Sequence, residues 1–134
     1  MLFRSVARAL ANVELSCGVH HLQIYSGEQY RQAHARLCRQ RHGSHADEAE
    51  TSIMLAIAPD CVDMSRAQAS PKLERRPEPG PLTPFDDHSL NYSPSGSFGD
   101  PTLATVENGH QLIAAILVDL RAAISAALLN ESRN

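Results

Sequence analysis

From position 112 onward, Leu112, Ile113, Ile116, Leu117, Leu120, Ile124, Ala127 and Leu128 recur at steps of three and four residues. That period specifies one long amphipathic helix, whose apolar stripe has to be covered by other parts of the chain or by a partner. Thr105 is its expected N-cap, Gly109 weakens its first turns, and Asn130 is a candidate stop. A chain of 134 residues suits one domain with a modest core. Aromatic residues make up 4% and Trp is absent, so that core rests on aliphatic side chains.

Two shorter helices are expected upstream. Residues 28–41 place Tyr30, Ala33, Leu37 and Arg41 at helical spacing, with Arg31, Arg36 and Arg39 elsewhere around the cylinder. A second helix begins after Ser44, which with Asp47 forms a capping-box-like start. Asp47, Glu48 and Glu50 put negative charge at the positive end of its dipole, and Pro59 stops it. Its predicted buried stripe is Ala49, Ile53, Ala56 and Ile57. Residues 13–17 and 19–25 have strand character, with Leu22 and Ile24 alternating against His21 and Gln23. Residues 70–99 hold six of the eight prolines and three of the seven glycines, which excludes continuous helix or central strand. A loop of that length is functional, packed on a partner, or disordered.

The charge is divided. Residues 1–43 carry six Arg against two Glu, whereas residues 44–134 carry six Lys or Arg against thirteen acids. The chain is accordingly read as a weakly patterned basic segment, 1–43, followed by a distinct C-terminal unit, 44–130. The Arg cluster lacks a second basic element and a stacking aromatic series, so nucleic acid is not an expected partner. Cys17, Cys38 and Cys61 are odd in number and widely spaced, which fits neither a disulfide framework nor a zinc knuckle and points to a reducing compartment. No uninterrupted apolar run approaches the ~20 residues of a membrane span, and no membrane partner is expected. Cytoplasmic location is the expectation. The mitochondrial alternative rests on Arg4 and Arg8, which share an amphipathic start with no acid before Glu14.

From His45 the sequence runs His-Ala-Asp-Glu-Ala-Glu-Thr-Ser-Ile-Met-Leu-Ala-Ile-Ala-Pro-Asp-Cys-Val-Asp-Met. This resembles the creatininase family, which carries His-Ala-Gly-Glu-x-Glu-Thr-Ser, a Leu-Ala-x-x-Pro helix end and Val-Asp-Met or Val-Asp-Leu. A second block from Ser93, Ser-Pro-Ser-Gly-Ser-Phe-Gly-Asp-Pro-Thr-Leu-Ala-Thr-Val-Glu-Asn-Gly, is similar to the family's Gly-x-x-Gly-Asp-Pro-x-x-Ala-Thr-x-x-x-Gly. The two blocks stand in the family's order and belong to its C-terminal half.

The resemblance implies an α/β fold of three layers, α/β/α, here incomplete and closed by the long C-terminal helix. It also implies two divalent metals (zinc, manganese or iron), hydrolysis of a non-peptide C–N bond in a small-molecule amide, and assembly into a homo-oligomer. His45 matches the family's proton-transfer histidine, and an imidazole titrating near neutrality suits that work. Glu50 matches a family carboxylate and is expected to orient its neighbours, although a helix N-terminal acid acting on the dipole reads the same way. Ser44 and Asp47 replace an acid and a glycine of the family pattern beside His45, which makes them candidate substrate-contacting positions. Asp100 before Pro101 reads as an N-cap with an N1 proline.

The family's metal ligands, an early Glu-x-His, a downstream Asp and an Asn-Gly-His loop, belong to its N-terminal half. No Glu-x-His occurs here and the first Asp is Asp47, so no metal ligand is assigned. His20, His21, His34 and His42 are scattered, and His42-x-x-His45 is a weak ligand spacing without a fixed third donor. Two readings follow: a shortened amidohydrolase whose metals need residues supplied elsewhere, or a non-catalytic remnant serving as an interaction or oligomerisation module. With half of the fold missing, the stripe of the last helix is expected to be partly uncovered.

Overall fold

The computed structural model describes residues 22–71 and 75–131. Three α-helices organise them: α1 (Glu28–Leu37), α2 (Glu48–Ile57) and α3 (Val106–Glu131). Short 3-10 turns occupy Pro59–Cys61, Met64–Arg66 and Pro101–Leu103. Both α1 and α2 pack on α3. The core they enclose contains Tyr30, Ala33, Ala49, Leu112 and Ile116, flanked by Leu37, Ile53, Ala115 and Leu120.

The long helix forms as its periodicity requires, with Thr105 in the N-cap role: its hydroxyl accepts from the N–H of Asn108 at 3.1 Å. It continues past Asn130 to Glu131. Gly109 does more than weaken a turn. A β-carbon there would lie 2.0 Å from the carbonyl oxygen of Ser52, so α2 and α3 touch backbone to backbone at this point. The α2 residues facing Gly109 are small, Ser52 and Ala56, and the buried residues of the helix are Glu48, Ala49 and Ser52. Ile57, predicted in the buried stripe, is instead 62% exposed. Ser52 bridges the crossing, donating to the carbonyl of Glu48 at 2.6 Å and accepting from the N–H of Thr105 at 3.1 Å.

Helix α1 is four residues shorter than its sequence period indicates, and at its C-terminal end only. It stops at Leu37, and Arg41 lies beyond it, exposed. No side chain of its own caps its start. The carboxylate of Asp119, halfway along α3, accepts from the N–H groups of Gln29 (3.1 Å) and Tyr30 (2.8 Å). Gly27 lets that carboxylate approach, since a β-carbon would fall 2.1 Å from it. An acid within the apolar stretch of α3 is thereby explained as a cap for its neighbour.

Residues 22–25, the described part of the strand expected at 19–25, lie outside any strand. Ser26 closes a turn on the carbonyl of Gln23 through both its N–H and its hydroxyl, which diverts the chain directly into α1. The strand expected at 13–17 falls outside the described residues. Among the described residues β-pairing is confined to two isolated bridges, His45 with Phe98 and Thr83 with Tyr92. The sheet of a three-layer arrangement is therefore not found among them.

Segment 70–99 is built on side-chain hydrogen bonds in place of a ladder. Ser70 and Gly99 pair at its ends, with Ser70 donating to the carbonyl of Ser97 and accepting from the N–H of Gly99. Asn91, buried, accepts from the N–H of Glu78 and donates to its carbonyl and to that of Pro81. Each of these polar groups satisfies backbone that the prolines leave without regular partners. Phe98, fully buried, anchors the return to His45.

The expected uncovered stripe is present on α3: Leu117, Val118, Ile124, Leu128 and Leu129 are 49–65% exposed. Although Asp119 and Arg121 interrupt it, the helix is long and apolar enough by length and composition to cross a membrane. Its Asp119 is nonetheless occupied in capping α1, and Leu112 and Ile116 lie in the core.

Candidate functional site

The loop 44–47 between α1 and α2 carries the sequence-derived candidates, and its conformation is fixed from three sides. Asp47 is the N-cap of α2, accepting from the N–H of Glu50 at 2.9 Å. Glu50 reaches back to the N–H of Ala46 at 2.7 Å. The capping pair is thus Asp47 with Glu50, whose carboxylate reaches the N–H one residue before the cap, three residues later than the Ser44 start expected from sequence. Ala46 sits at φ 44°, a left-handed conformation that costs a residue with a β-carbon about 1 kcal/mol. The Glu50 carboxylate holds it there, and the chain turns sharply between His45 and Asp47.

Asp47 stands where the family pattern has glycine, and the surroundings make room for it. It is buried, between Gly43 and Gly99, where β-carbons would fall 2.5 Å from its Oδ2 and 2.3 Å from its Cβ, respectively. Gln40 is the junction: its amide nitrogen donates to Asp47 at 2.8 Å, and its oxygen accepts from the N–H groups of Glu48 (3.1 Å) and Asp100 (2.9 Å). Glu48, fully buried, accepts from the N–H groups of Arg39 (2.7 Å) and Gln40 (2.9 Å) through one oxygen. Sequence reading gave Gln40 and Glu48 no role beyond helix charge. Asp100 caps the turn that follows it, accepting from Thr102, with Pro101 at the first position, as its sequence context indicates.

Ser44, Asp47 and Glu50 share one cavity of about 290 Å³ with Tyr25, Tyr30 and His34. The Tyr25 and Tyr30 rings lie 5.3 Å apart, and Tyr30 is 5.7 Å from His34. The Ser44 hydroxyl is buried without a hydrogen-bond partner. Burial and then the Asp47 charge push the Tyr30 phenol well above its ordinary range; burial, Glu50 and Asp47 raise Tyr25. His45 is not in this wall. Its backbone pairs with Phe98, while the residue itself is exposed. On the other side of the same loop, Ala46 and Thr51 line a larger cleft of about 690 Å³, whose remaining walls are residues 62–68 and 94–101. Both sequence blocks that carry the resemblance meet on that cleft, which sequence reading did not anticipate.

Burial, reinforced by the Glu48 and Asp47 charges, pushes the Cys38 thiol up to about 12 from an ordinary 9.0. The folded state therefore keeps its proton where the unfolded chain has lost it. Cys38 and Tyr30 contribute stability that is whole below pH 9 and declines as pH rises toward 12. The urea midpoint is expected to fall steadily from pH 8.5 to 11, and Cys38→Ala should flatten that slope. An unchanged slope in the variant would contradict this assignment.

Among the described residues, no group of three or more His, Cys, Asp or Glu side chains is placed to hold a metal ion. Asp47, Glu48 and Glu50 each have an oxygen committed to backbone N–H groups. The described donor set does not fit a divalent-metal cage of the kind the resemblance implies.

The creatininase family profile, described as creatinine amidohydrolase, matches residues 2–124, which takes in the basic segment that sequence reading left without a family assignment. Among solved structures, "Creatininase Mn" aligns with TM-score 0.64 and 21% identity over 93% of this chain and 48% of its own. A creatinine amidohydrolase (creatininase) crystal structure aligns with TM-score 0.64 and 22% identity over 93% and 47%. A mutant creatininase complexed with creatine gives 0.59 and 21% over 93% and 48%. The chain spans about half the length of these structures, and at such identity the likeness is one of fold. No curated protein gives a significant match.

Proposed function

The chain belongs to the creatininase family, and from that premise we propose that it acts as the C-terminal half of an amidohydrolase cleaving a non-peptide C–N bond of the cyclic-amide or formamide kind. The family match across 2–124, including the His45 to Ser52 segment, carries this reading. His45 moves the proton: exposed on the loop, it can donate to the departing nitrogen of a bound amide. Glu50 works through the backbone, holding Ala46 in its left-handed conformation between His45 and Asp47. Ser44, with a hydroxyl lacking a partner, and Asp47 meet the substrate in the smaller cavity. The complete unit is the three-layer α/β/α fold, and any divalent metal is held by residues outside the described ones.

Two measurements test the proposal. Elemental mass spectrometry of the dialysed chain reads its metal content: about two tightly bound manganese, zinc or iron ions per chain would reveal a ligand set beyond the described residues, and none would favour a chain that needs its missing half. Release of creatine from creatinine, or of the acid from a formamide panel, should fall about 100-fold or more in His45→Ala. Turnover that persists in His45→Ala would remove that residue from the mechanism. The exposed Leu117, Val118, Ile124 and Leu128 favour a second reading, an interaction or oligomerisation module without turnover. Metal-free, inactive chain that self-associates in sedimentation would establish this second reading over the first.

A further inference from the structure

The cleft of about 690 Å³ across the 44–47 loop from the smaller cavity divides its polar groups unequally. Its acceptors and several hydroxyls are used internally. Asp63 accepts from both the N–H (3.0 Å) and the hydroxyl (2.6 Å) of Ser65, which hold its carboxyl below the usual range. Ser95 and Ser97 share a hydrogen bond at 2.9 Å, and Ser97 also reaches the carbonyl of Gln68. The side chains of Arg66, Thr51 and Gln68 make no hydrogen bond among the described residues, although the Arg66 charge also acts on Asp63. The cleft therefore offers spare donors, one of them a guanidinium, beside apolar walls from Val62, Met64 and Pro101.

Its volume is that of a small-molecule site, and a guanidinium without an acceptor matches a planar, two-oxygen anion. We propose that this cleft binds a small carboxylate, with Arg66 on the carboxylate and Thr51 and Gln68 donating to its oxygens or to an adjacent carbonyl. A cation is disfavoured because the one carboxylate present is already hydrogen-bonded twice by Ser65. Nothing in this assignment depends on hydrolysis at His45, so the two stand or fall separately.

The test is a titration of the full chain with N-acetylglycinate, followed by backbone and arginine N–H NMR shifts at constant ionic strength. Neutral N-acetylglycinamide and sodium chloride serve as controls. Saturable shifts at Ser65, Arg66 and Thr51 are expected with the carboxylate alone. Arg66→Gln should weaken binding by about tenfold or more, with Arg66→Lys intermediate. Arg66 is exposed and makes no internal side-chain bond, so these variants should fold, which circular dichroism verifies. Absence of saturation below about 10 mM, equal shifts with the neutral amide or chloride, or unchanged affinity in Arg66→Gln would each overturn the proposal.

Discussion

Gly109→Ala is expected to destabilise the protein by about 3 kcal/mol, although helix propensity alone favours alanine by about 1 kcal/mol. The added carbon would lie 2.0 Å from the Ser52 carbonyl oxygen and 2.6 Å from its carbon, both backbone atoms that cannot rotate away. Relief requires α2 and α3 to separate, which opens the contacts of Ala49 and Leu112 and stretches the Ser52 to Thr105 hydrogen bond. Gly96→Ala is the comparison: it has open space but φ 80°, so it should cost about 1–2 kcal/mol from conformation alone. Thermal unfolding of the two variants decides the matter. A Gly109→Ala protein more stable than the parent would show that the helices are not in backbone contact.

The same crossing marks how far the sequence could be read. The period from Leu112 and the Thr105 cap are local properties of one segment, and both are found in α3. The α2 stripe holds at Ala49, which is buried, and at Ile53, which packs against the core, and it fails at Ile57. At a glycine-mediated crossing size decides, so Ser52 is buried while Ile57 is exposed. The α2 start moved for a similar reason: Ser44 with Asp47 and Asp47 with Glu50 both satisfy the capping spacing. Only Asp47 accepts a helix N–H, that of Glu50, whereas the Ser44 hydroxyl has no partner. The acceptor role of Asp119 joins residues about ninety positions apart and has no local signal. At the candidate site, Ser44, Asp47 and Glu50 do share one cavity. The companions Tyr25, Tyr30 and His34 come from the basic segment, whose weak patterning concealed its contribution. The larger cleft depends on residues 62–68 and 94–101 converging, which only the folded chain reveals.

Glu48→Ala is expected to cost about 3–5 kcal/mol, comparable to the whole stability of a marginal domain. Two explanations for such a loss make different predictions. If the ion pair mattered, Arg39→Ala would do equal damage, but Arg39 is 3.9 Å from the carboxylate and its side chain is 66% exposed, a geometry worth little. If hydrogen bonding matters, the loss comes from the N–H groups of Arg39 and Gln40, which would be left without an acceptor. Glu48→Gln then becomes the informative variant. Its amide oxygen can take the place of the accepting carboxylate oxygen, so it should retain most of the stability despite carrying no charge. The expected order of urea midpoints is parent, Arg39→Ala close behind, Glu48→Gln slightly lower, and Glu48→Ala far below. Equal losses in Glu48→Gln and Glu48→Ala would show that charge is decisive. The consequence reaches the candidate site, because Gln40 ties Glu48 to Asp47 and Asp100. Loss of the buried carboxylate frees the residues after α1, and with them the clamp that sets the 44–47 loop between its two cavities.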